Sequence, residues 1–121
     1  MRESELACKC CGLKDLDPKL IPALLAVEKD YGEELRFSSG CRCEKHNRDE
    51  GGEDDSRHLP PCRGVDIISA AKDVAKRKRL YDTCKKHGFV GFGRGATFLH
   101  ADFGPPREWG YPVKKESPKV G

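Results

Sequence analysis

Between residues 17 and 31 the apolar positions follow the spacing of one helix face. The apolar residues of this segment are Leu20, Ile21, Leu24, Leu25 and Val27. Their three- and four-residue intervals bring them to one side of a helix. Asp17 is a favourable N-terminal cap, and Pro18 suits the first helical position. Gly32 allows the helix to end after Tyr31, so we predict a first helix over 17–31.

Four segments have the residue pattern of short strands. Alternation of apolar and polar residues predicts a strand over 35–39, and a β-branched run predicts another over 65–68. Aromatic and β-branched residues are interleaved with glycines over 88–95, and 97–103 is the last expected strand. The strands are all short, which limits the sheet to a small one.

A second helix is expected between the second and third strands. Ser69 can cap its start, and it can run to about His87, with Gly88 at its end. Residues 40–63 are rich in Gly, Pro, Asn, Asp and Ser and predict a long loop. Loops of that length in compact domains are usually functional or mobile.

The order of elements predicts the fold class. A chain of 121 residues is expected to form one domain. Helix, strand, long loop, strand, helix, strand, strand contains too many strands for the helical crossovers of a parallel sheet. We therefore expect an α+β domain over 1–104, with a largely antiparallel sheet and two main helices. Residues 105–121, rich in Pro, Lys and Gly, are expected to form a loosely ordered tail.

Composition narrows the functional classes. Apolar and charged residues each make up 36% of the chain, and the formal net charge is +3, which is too small to indicate a nucleic-acid partner. No apolar run approaches the length of a membrane span. The first residues contain no apolar run of signal-peptide length, so we expect synthesis in the cytoplasm without a signal peptide. The composition carries no signal for an oligomeric state.

The chain has seven cysteines. An odd number in a reducing compartment favours thiols or metal ligands over a disulfide framework. Five of them fall in two segments, as Cys8, Cys10, Cys11, Cys41 and Cys43. We interpret them as free or packed thiols, with a second, structural zinc site as the alternative, since Cys-x-Cys is tighter than the usual ligand spacing.

One loop and two strands carry the strongest candidate for chemistry. Its residues are His58, Asp66, His100 and Asp102. Because side chains alternate along a strand, His100 and Asp102 project to the same side, where Asp66 can meet them from a neighbouring strand. A catalytic zinc takes three nitrogen or oxygen ligands and leaves a fourth position for water. The residue types therefore fit zinc-assisted hydrolysis of an amide bond, with a nearby carboxylate to carry a proton.

The remaining histidines and one cysteine have alternative interpretations. His46 and His87 are expected to be solvated or hydrogen-bonded, with His46 buttressing the loop. Cys62 lies four residues after His58 and could intrude as a soft zinc ligand. Trp109 and Tyr111 could flank a glycan or peptide groove, or simply pack the tail.

Several motifs occur together in order. They are Ser39-Gly40-Cys41-Arg42, His46-Asn47, Ser56-x-His58, Gly64-Val65-Asp66-Ile67, the pair Gly91 and Gly93, and Phe98-Leu99-His100-Ala101-Asp102-x-Gly104. This set resembles the zinc peptidases of the D-alanyl-D-alanine carboxypeptidase group. That group includes peptidoglycan L,D- and D,D-peptidases and many phage endolysins, and it shares its fold with the Hedgehog signalling domain. The resemblance runs from about Glu5 to Gly104.

The resemblance implies a ligand set and a substrate. Zinc would be held by His58, Asp66 and His100. Arg42 would point into the cleft and steady a substrate carboxylate or an oxyanion, and Ser56 would bond the substrate backbone or orient the loop. The partner would be the peptide of bacterial peptidoglycan. Such a protein would act at the cell wall after release by another factor, or as a virion component.

The proton carrier is less directly implied. Some relatives place the catalytic carboxylate three residues before the last histidine, where this chain has Thr97. Asp102 is then the candidate base, and its alternative role is to orient His100 through a hydrogen bond. The alternative function is a zinc-containing binding module of the same fold that has lost turnover.

Overall fold

The structure, a computed structural model, describes residues 1–9, 11–12, 14–43, 62–69 and 73–110 of the chain. In chain order the elements are a 3₁₀ helix (Glu3–Leu6), α1 (Leu20–Tyr31), β1 (Phe37–Ser39), β2 (Gly64–Ile67), α2 (Val74–Lys86), β3 (Gly91–Arg94), β4 (Leu99–Asp102) and β5 (Arg107–Gly110). Two helices and one sheet of short strands confirm the predicted α+β class. None of the described helices has the length and apolar character needed to cross a bilayer.

The five strands form one sheet in the order β1-β2-β4-β3-β5. The first three neighbouring pairs are antiparallel, and β5 runs parallel to β3 at the edge. The central pair is in regular register, with Val65 opposite Ala101 and Asp66 opposite His100. The sheet is therefore mostly antiparallel, as predicted.

Alternation along the strands gives the sheet two different faces. Val65 and Ile67 of β2, with Leu99 and Ala101 of β4, belong to the buried apolar cluster. The helices contribute Leu20, Leu24, Val27, Leu80 and Cys84 to the same cluster. The intervening residues of these two strands carry the carboxylates and the imidazole, because successive side chains point to opposite faces. One face of the sheet thus packs against the helices, and the opposite face carries the candidate functional side chains.

The first helix begins later than the sequence predicts. Pro18 and Lys19 form a turn, and α1 starts at Leu20 with Lys19 as its N-cap residue. Asp17 still satisfies backbone donors at this end, because its Oδ1 accepts from Lys19 N at 2.9 Å and its carbonyl from Leu20 N at 2.9 Å. Gly32 ends the helix with a left-handed φ of 88°, as expected.

The second helix also has a different cap from the one predicted. It begins at Val74, and Asp73 caps it by accepting a hydrogen bond from Lys76 N at 3.0 Å. Ser69 instead accepts from Arg36 N at 2.6 Å, so its hydroxyl ties the end of β2 to the segment before β1. Residues 70–72 lie outside the described ranges.

Strand β5 occupies part of the expected tail. Residues 107–110 pair with β3, with Gly91 opposite Arg107 and Gly93 opposite Trp109. The expectation of a loose tail from residue 105 onward therefore differs from the structure at these residues. Pro105 and Pro106 directly precede the strand. Because proline argues against a strand, this four-residue segment was not predicted as one. Residues 111–121 lie outside the described ranges.

Cys41 and Cys62 form a disulfide, with Cα atoms 5.2 Å apart. The expectation of thiols or metal ligands is therefore wrong for this pair, and Cys62 does not compete for the candidate zinc. Backbone contacts place both residues, since Cys41 N donates to the carbonyl of Leu6 and Cys62 N to that of Asp15, each at 2.7 Å. Cysteine spacing alone does not reveal which backbone segments meet.

Glu5 fastens the 3₁₀ helix to the start of β1. Its Oε2 accepts from Arg36 Nε at 2.8 Å and Nη2 at 2.6 Å, and its Oε1 accepts from Phe37 N at 3.0 Å. The Glu5 side chain is 16% exposed, so these charged hydrogen bonds are partly shielded from water. Hydrogen bonding to Arg36 holds the pKa of Glu5 below its ordinary value, against the opposing effect of burial.

Glu5→Gln is expected to lower the free energy of unfolding at neutral pH by about 1–2 kcal/mol, because it removes charged hydrogen bonds. The folded pKa of Glu5 lies below the unfolded one. Its stabilising contribution is therefore complete above the unfolded pKa and is lost as the pH falls through the folded pKa. Urea unfolding of both proteins over a pH series should show a difference that shrinks in acid.

Glu3→Gln is the matched control. Its exposed carboxylate lies 3.8 Å from Lys14 Nζ, and its loss should change the free energy of unfolding by less than about 0.5 kcal/mol. An effect of Glu5→Gln that is equally large in acid would contradict the role given to the ionised carboxylate.

Candidate metal centre

Asp66 and His100 face each other across the central strand pair. They occupy opposed positions of β2 and β4, and Asp66 Oδ1 lies 2.9 Å from His100 Nδ1. Their side chains are only 9% and 6% exposed. The structure thus brings together two of the three residues expected to bind zinc.

Asp102 holds the other nitrogen of the His100 ring. Its Oδ2 lies 2.7 Å from His100 Nε2. Its Oδ1 accepts from Gly104 N at 2.8 Å, and Arg107 Nη2 lies 3.3 Å from Oδ2. The Asp102 side chain is fully buried. Both of its oxygens are therefore engaged, and its position fixes the orientation of the ring.

The donor atoms at this site fit a metal ion. When His100 Nε2 donates its proton to Asp102, Nδ1 presents a lone pair towards Asp66 Oδ1. Two electron-pair donors 2.9 Å apart repel each other unless they share a proton or a metal cation. A carboxylate behind a histidine, bonded to the nitrogen that does not bind the metal, is the usual support of a zinc-ligating imidazole. Asp66, His100 and Asp102 have this arrangement.

The local charges show the same preference for a cation. Burial opposes protonation of His100, but hydrogen bonds to Asp102 and Asp66 outweigh it and raise the pKa of the ring above its ordinary value. Burial also favours a neutral Asp102, yet the bond with His100 holds the pKa of that carboxyl below its usual range. Both shifts favour a positive charge on the ring between the two carboxylates.

Arg42 lies beside the same carboxylate pair. Its Nη2 is 3.5 Å from Asp66 Oδ2, and its Nε donates to Ser39 Oγ at 3.2 Å. The Arg42 side chain is 11% exposed. A guanidinium held this way provides a planar donor group next to the site, suited to a carboxylate or an oxyanion.

Strand β5 adds two residues that the sequence did not place at the site. The ring of Trp109 lies 5.2 Å from that of His100, measured between centroids. The guanidinium of Arg107 lies 4.6 Å from the Trp109 centroid and also approaches Asp102. The sequence suggests a groove or packing role for Trp109 and indicates no role for Arg107. Arg107 and Trp109 are two residues apart, as are Gly91 and Gly93, which they face in the neighbouring strand. This shared spacing is the feature of the sequence that could have indicated the pairing.

Two glycines of β3 make room for this arrangement. A Cβ atom at Gly91 would fall within the carboxylate of Asp102, and one at Gly93 would lie 2.5 Å from Cε2 of Trp109. Strand β3 can therefore pair with both neighbours only if these positions lack side chains. The glycines allow a buried aspartate and a tryptophan to flank His100.

The other residues singled out by sequence have different positions. His58 and Ser56 lie outside the described residues, as does His46. His87 Nε2 lies 2.9 Å from Asp30 Oδ2, in agreement with the hydrogen-bonded role expected for it. Thr97 is exposed in the bend between β3 and β4.

Comparison with known proteins gives one family. The family model described as Peptidase M15 matches residues 1–102 of the chain. The match includes Arg42 and every residue of the Asp66–His100–Asp102 group. It ends with the last residue of β4, so β5 lies beyond it. No curated protein matches the chain.

Gly91→Ala is expected to lower the free energy of unfolding by about 1–3 kcal/mol, because the added methyl group displaces the Asp102 carboxylate or the strand. Urea unfolding measures the loss, and the NMR signals of the His100 ring should shift as its partner moves. Gly110→Ala in β5 is the control, since a Cβ there meets nothing within 4 Å. Equal tolerance of both substitutions would contradict the packing described for Gly91.

Proposed function

The chain belongs to the Peptidase M15 family, and on that basis we propose that it is a zinc-dependent peptidase of bacterial peptidoglycan. Family membership implies a metallopeptidase. The proposed substrates are amide bonds in the stem peptides of the cell wall, cut in the manner of an endolysin or of a D-Ala-D-Ala carboxypeptidase.

The observation that carries this proposal is the opposition of Asp66 Oδ1 and His100 Nδ1 at 2.9 Å. We propose that these two atoms bind the zinc, with His58 as the third ligand. Zinc bound there would supply a Lewis acid that polarises the scissile carbonyl and favours ionisation of water. Because the side chains of Asp66 and His100 are buried, water would screen their electrostatic interactions with the substrate less than at an exposed site.

Arg42 is proposed as the residue that binds negative charge. Its bond to Ser39 and its contact with Asp66 keep the guanidinium beside the site. It could hold the terminal carboxylate of a stem peptide or the oxyanion that forms during hydrolysis. Ser56 is proposed to bind the substrate backbone or to orient its own loop.

Asp102 has two possible roles in this reaction. The sequence-based proposal makes it the general base. Its contacts favour the positioning role, since a fully buried carboxylate engaged by His100, Gly104 N and Arg107 is already committed to holding the imidazole.

The place of action is part of the proposal. We propose that the protein acts at the cell wall, either after release by another factor or as a component of a virion. The mild positive charge of the chain is compatible with approach to a polyanionic wall.

A zinc-containing binding module of the same fold is the second candidate function. Two observations favour it: Thr97 stands where some relatives carry the catalytic carboxylate, and Asp102 is fully buried. Purified protein incubated with peptidoglycan, with and without a chelator, separates the two functions. Released peptides that disappear with chelator support the peptidase, whereas bound zinc without release supports the binding module.

Removal of any proposed ligand should abolish hydrolysis. His58→Ala, Asp66→Ala and His100→Ala are each expected to lose about one equivalent of zinc and all wall hydrolysis, because three protein ligands are needed. Metal analysis and release of muropeptides measure the two losses. His87→Ala, which removes a histidine bonded to Asp30, should retain both, and full lysis by any ligand variant would rule out the proposed centre.

Asp102→Asn tests how this carboxylate acts. If Asp102 positions His100, the variant should bind zinc about 10–100-fold more weakly, while excess zinc should restore most of the hydrolysis. If Asp102 is the base, hydrolysis should stay low even when the zinc site is saturated. Zinc titration followed by kcat at saturating zinc distinguishes the two roles.

A further inference from the structure

Three cysteine sulfurs form a second cluster of potential metal ligands. The Sγ atoms of Cys8, Cys11 and Cys43 all lie within 4.8 Å of one another. Cys8 is buried, Cys43 is half-buried and Cys11 is exposed. The group shares no residue with the site built on Asp66 and His100.

A tight turn brings the first two sulfurs together. Cys8 and Cys11 are separated by two residues, which is the spacing found in structural zinc sites. Gly12 N donates to the carbonyl of Cys8 at 2.8 Å, and Gly12 has a φ of +80° that few other residues adopt. The pair that forms the cluster therefore avoids the unfavourable Cys-x-Cys spacing noted in the sequence.

A close approach of two backbone segments brings in the third sulfur. Cys41 N donates to the carbonyl of Leu6 at 2.7 Å. A Cβ at Gly40 would lie 2.6 Å from Cα of Leu6, so the two segments touch at this glycine. Cys43 N then lies 3.4 Å from Cys8 Sγ and donates to it. A hydrogen bond to sulfur favours its thiolate form, which is the form that binds metals.

We propose that Cys8, Cys11 and Cys43 bind a structural zinc ion, in addition to the proposed catalytic one. Tetrahedral zinc with Zn–S bonds of about 2.3 Å separates its sulfurs by about 3.8 Å, and sulfurs already within 4.8 Å need little movement to reach that distance. Thiolates select thiophilic ions over magnesium or calcium. Binding displaces one proton from each thiol, so zinc is taken up as protons are released.

Within the described ranges the cluster has three ligands, so water or another side chain would supply the fourth. In the sequence, His46 follows Cys43 at the same interval as Cys11 follows Cys8. His46 lies outside the described residues, and the proposal requires only the three cysteines. A disulfide would use only two of these three sulfurs, whereas a zinc ion can bind all three.

The zinc would tie the N-terminal segment to the part of the chain that directly follows Arg42. Cys8 and Cys11 precede α1, while Cys43 directly follows Arg42, whose guanidinium contacts Asp66. The proposed ion would therefore fix the backbone on which Arg42 is mounted. Structural zinc sites contribute directly to folding, so stability should depend on the metal.

The test uses the full chain with two of the three proposed catalytic ligands removed. Asp66→Ala/His100→Ala protein should retain about one equivalent of zinc, and X-ray absorption should show zinc–sulfur scattering at about 2.3 Å. Adding Cys11→Ser, at an exposed position, should reduce the bound zinc several-fold without preventing folding, as judged by circular dichroism. Adding Cys84→Ala instead should leave the zinc in place, because Cys84 is a packed core thiol whose pKa burial raises to about 12.

Cobalt provides a second readout on the same proteins. Cobalt added to Asp66→Ala/His100→Ala should give sulfur-to-metal charge-transfer absorption that disappears with Cys11→Ser or Cys43→Ser. Zinc with only nitrogen and oxygen neighbours, zinc content unchanged by these cysteine substitutions, or a disulfide between two of the three cysteines in zinc-loaded protein would each overturn the proposal. None of these results depends on peptidoglycan hydrolysis, so the two proposals can fail separately.

Discussion

The antiparallel register between β2 and β4 determines which side chains meet at the candidate site. It sets Asp66 directly opposite His100, and side chains on directly opposed positions of neighbouring strands lie close enough to share one ion. A slip of one residue by either strand would turn that strand's side chain to the other face and place an apolar residue in the site. The apolar cluster opposes that slip, because the observed register buries Val65, Leu99 and Ala101 in it.

The surroundings of this pair are organised around a fully buried carboxylate. Asp102 is stabilised by the imidazole of His100, by a backbone N–H and by the nearby guanidinium of Arg107. Burying a carboxylate is costly unless such partners are present. Gly91 supplies the space, and β5 supplies the guanidinium. The position of His100 therefore depends on four strands together.

The sequence predicted the parts of this arrangement that depend on local periodicity. The period of two placed His100 and Asp102 on one side and allowed Asp66 to join them. It did not predict β5, because Pro105 and Pro106 resemble the start of a tail. The disulfide between Cys41 and Cys62 depends on which backbone segments meet, and the count of cysteines carries no such information. The starts of both helices differ from the prediction, because Asp17 bonds to a turn that precedes α1 and Asp73, in place of Ser69, caps α2. The placement of His58 stays a prediction, since it lies outside the described residues.

The parallel strand β5 has a further consequence for where the chain can be shortened. It covers the outer hydrogen-bonding edge of β3, and the family match stops just before it. A fragment trimmed to the matched residues would expose a row of backbone donors and acceptors next to a glycine-rich strand. Such bare edges recruit strands from other molecules and promote aggregation. In the chain with β5 present, this edge of β3 is paired with β5 instead.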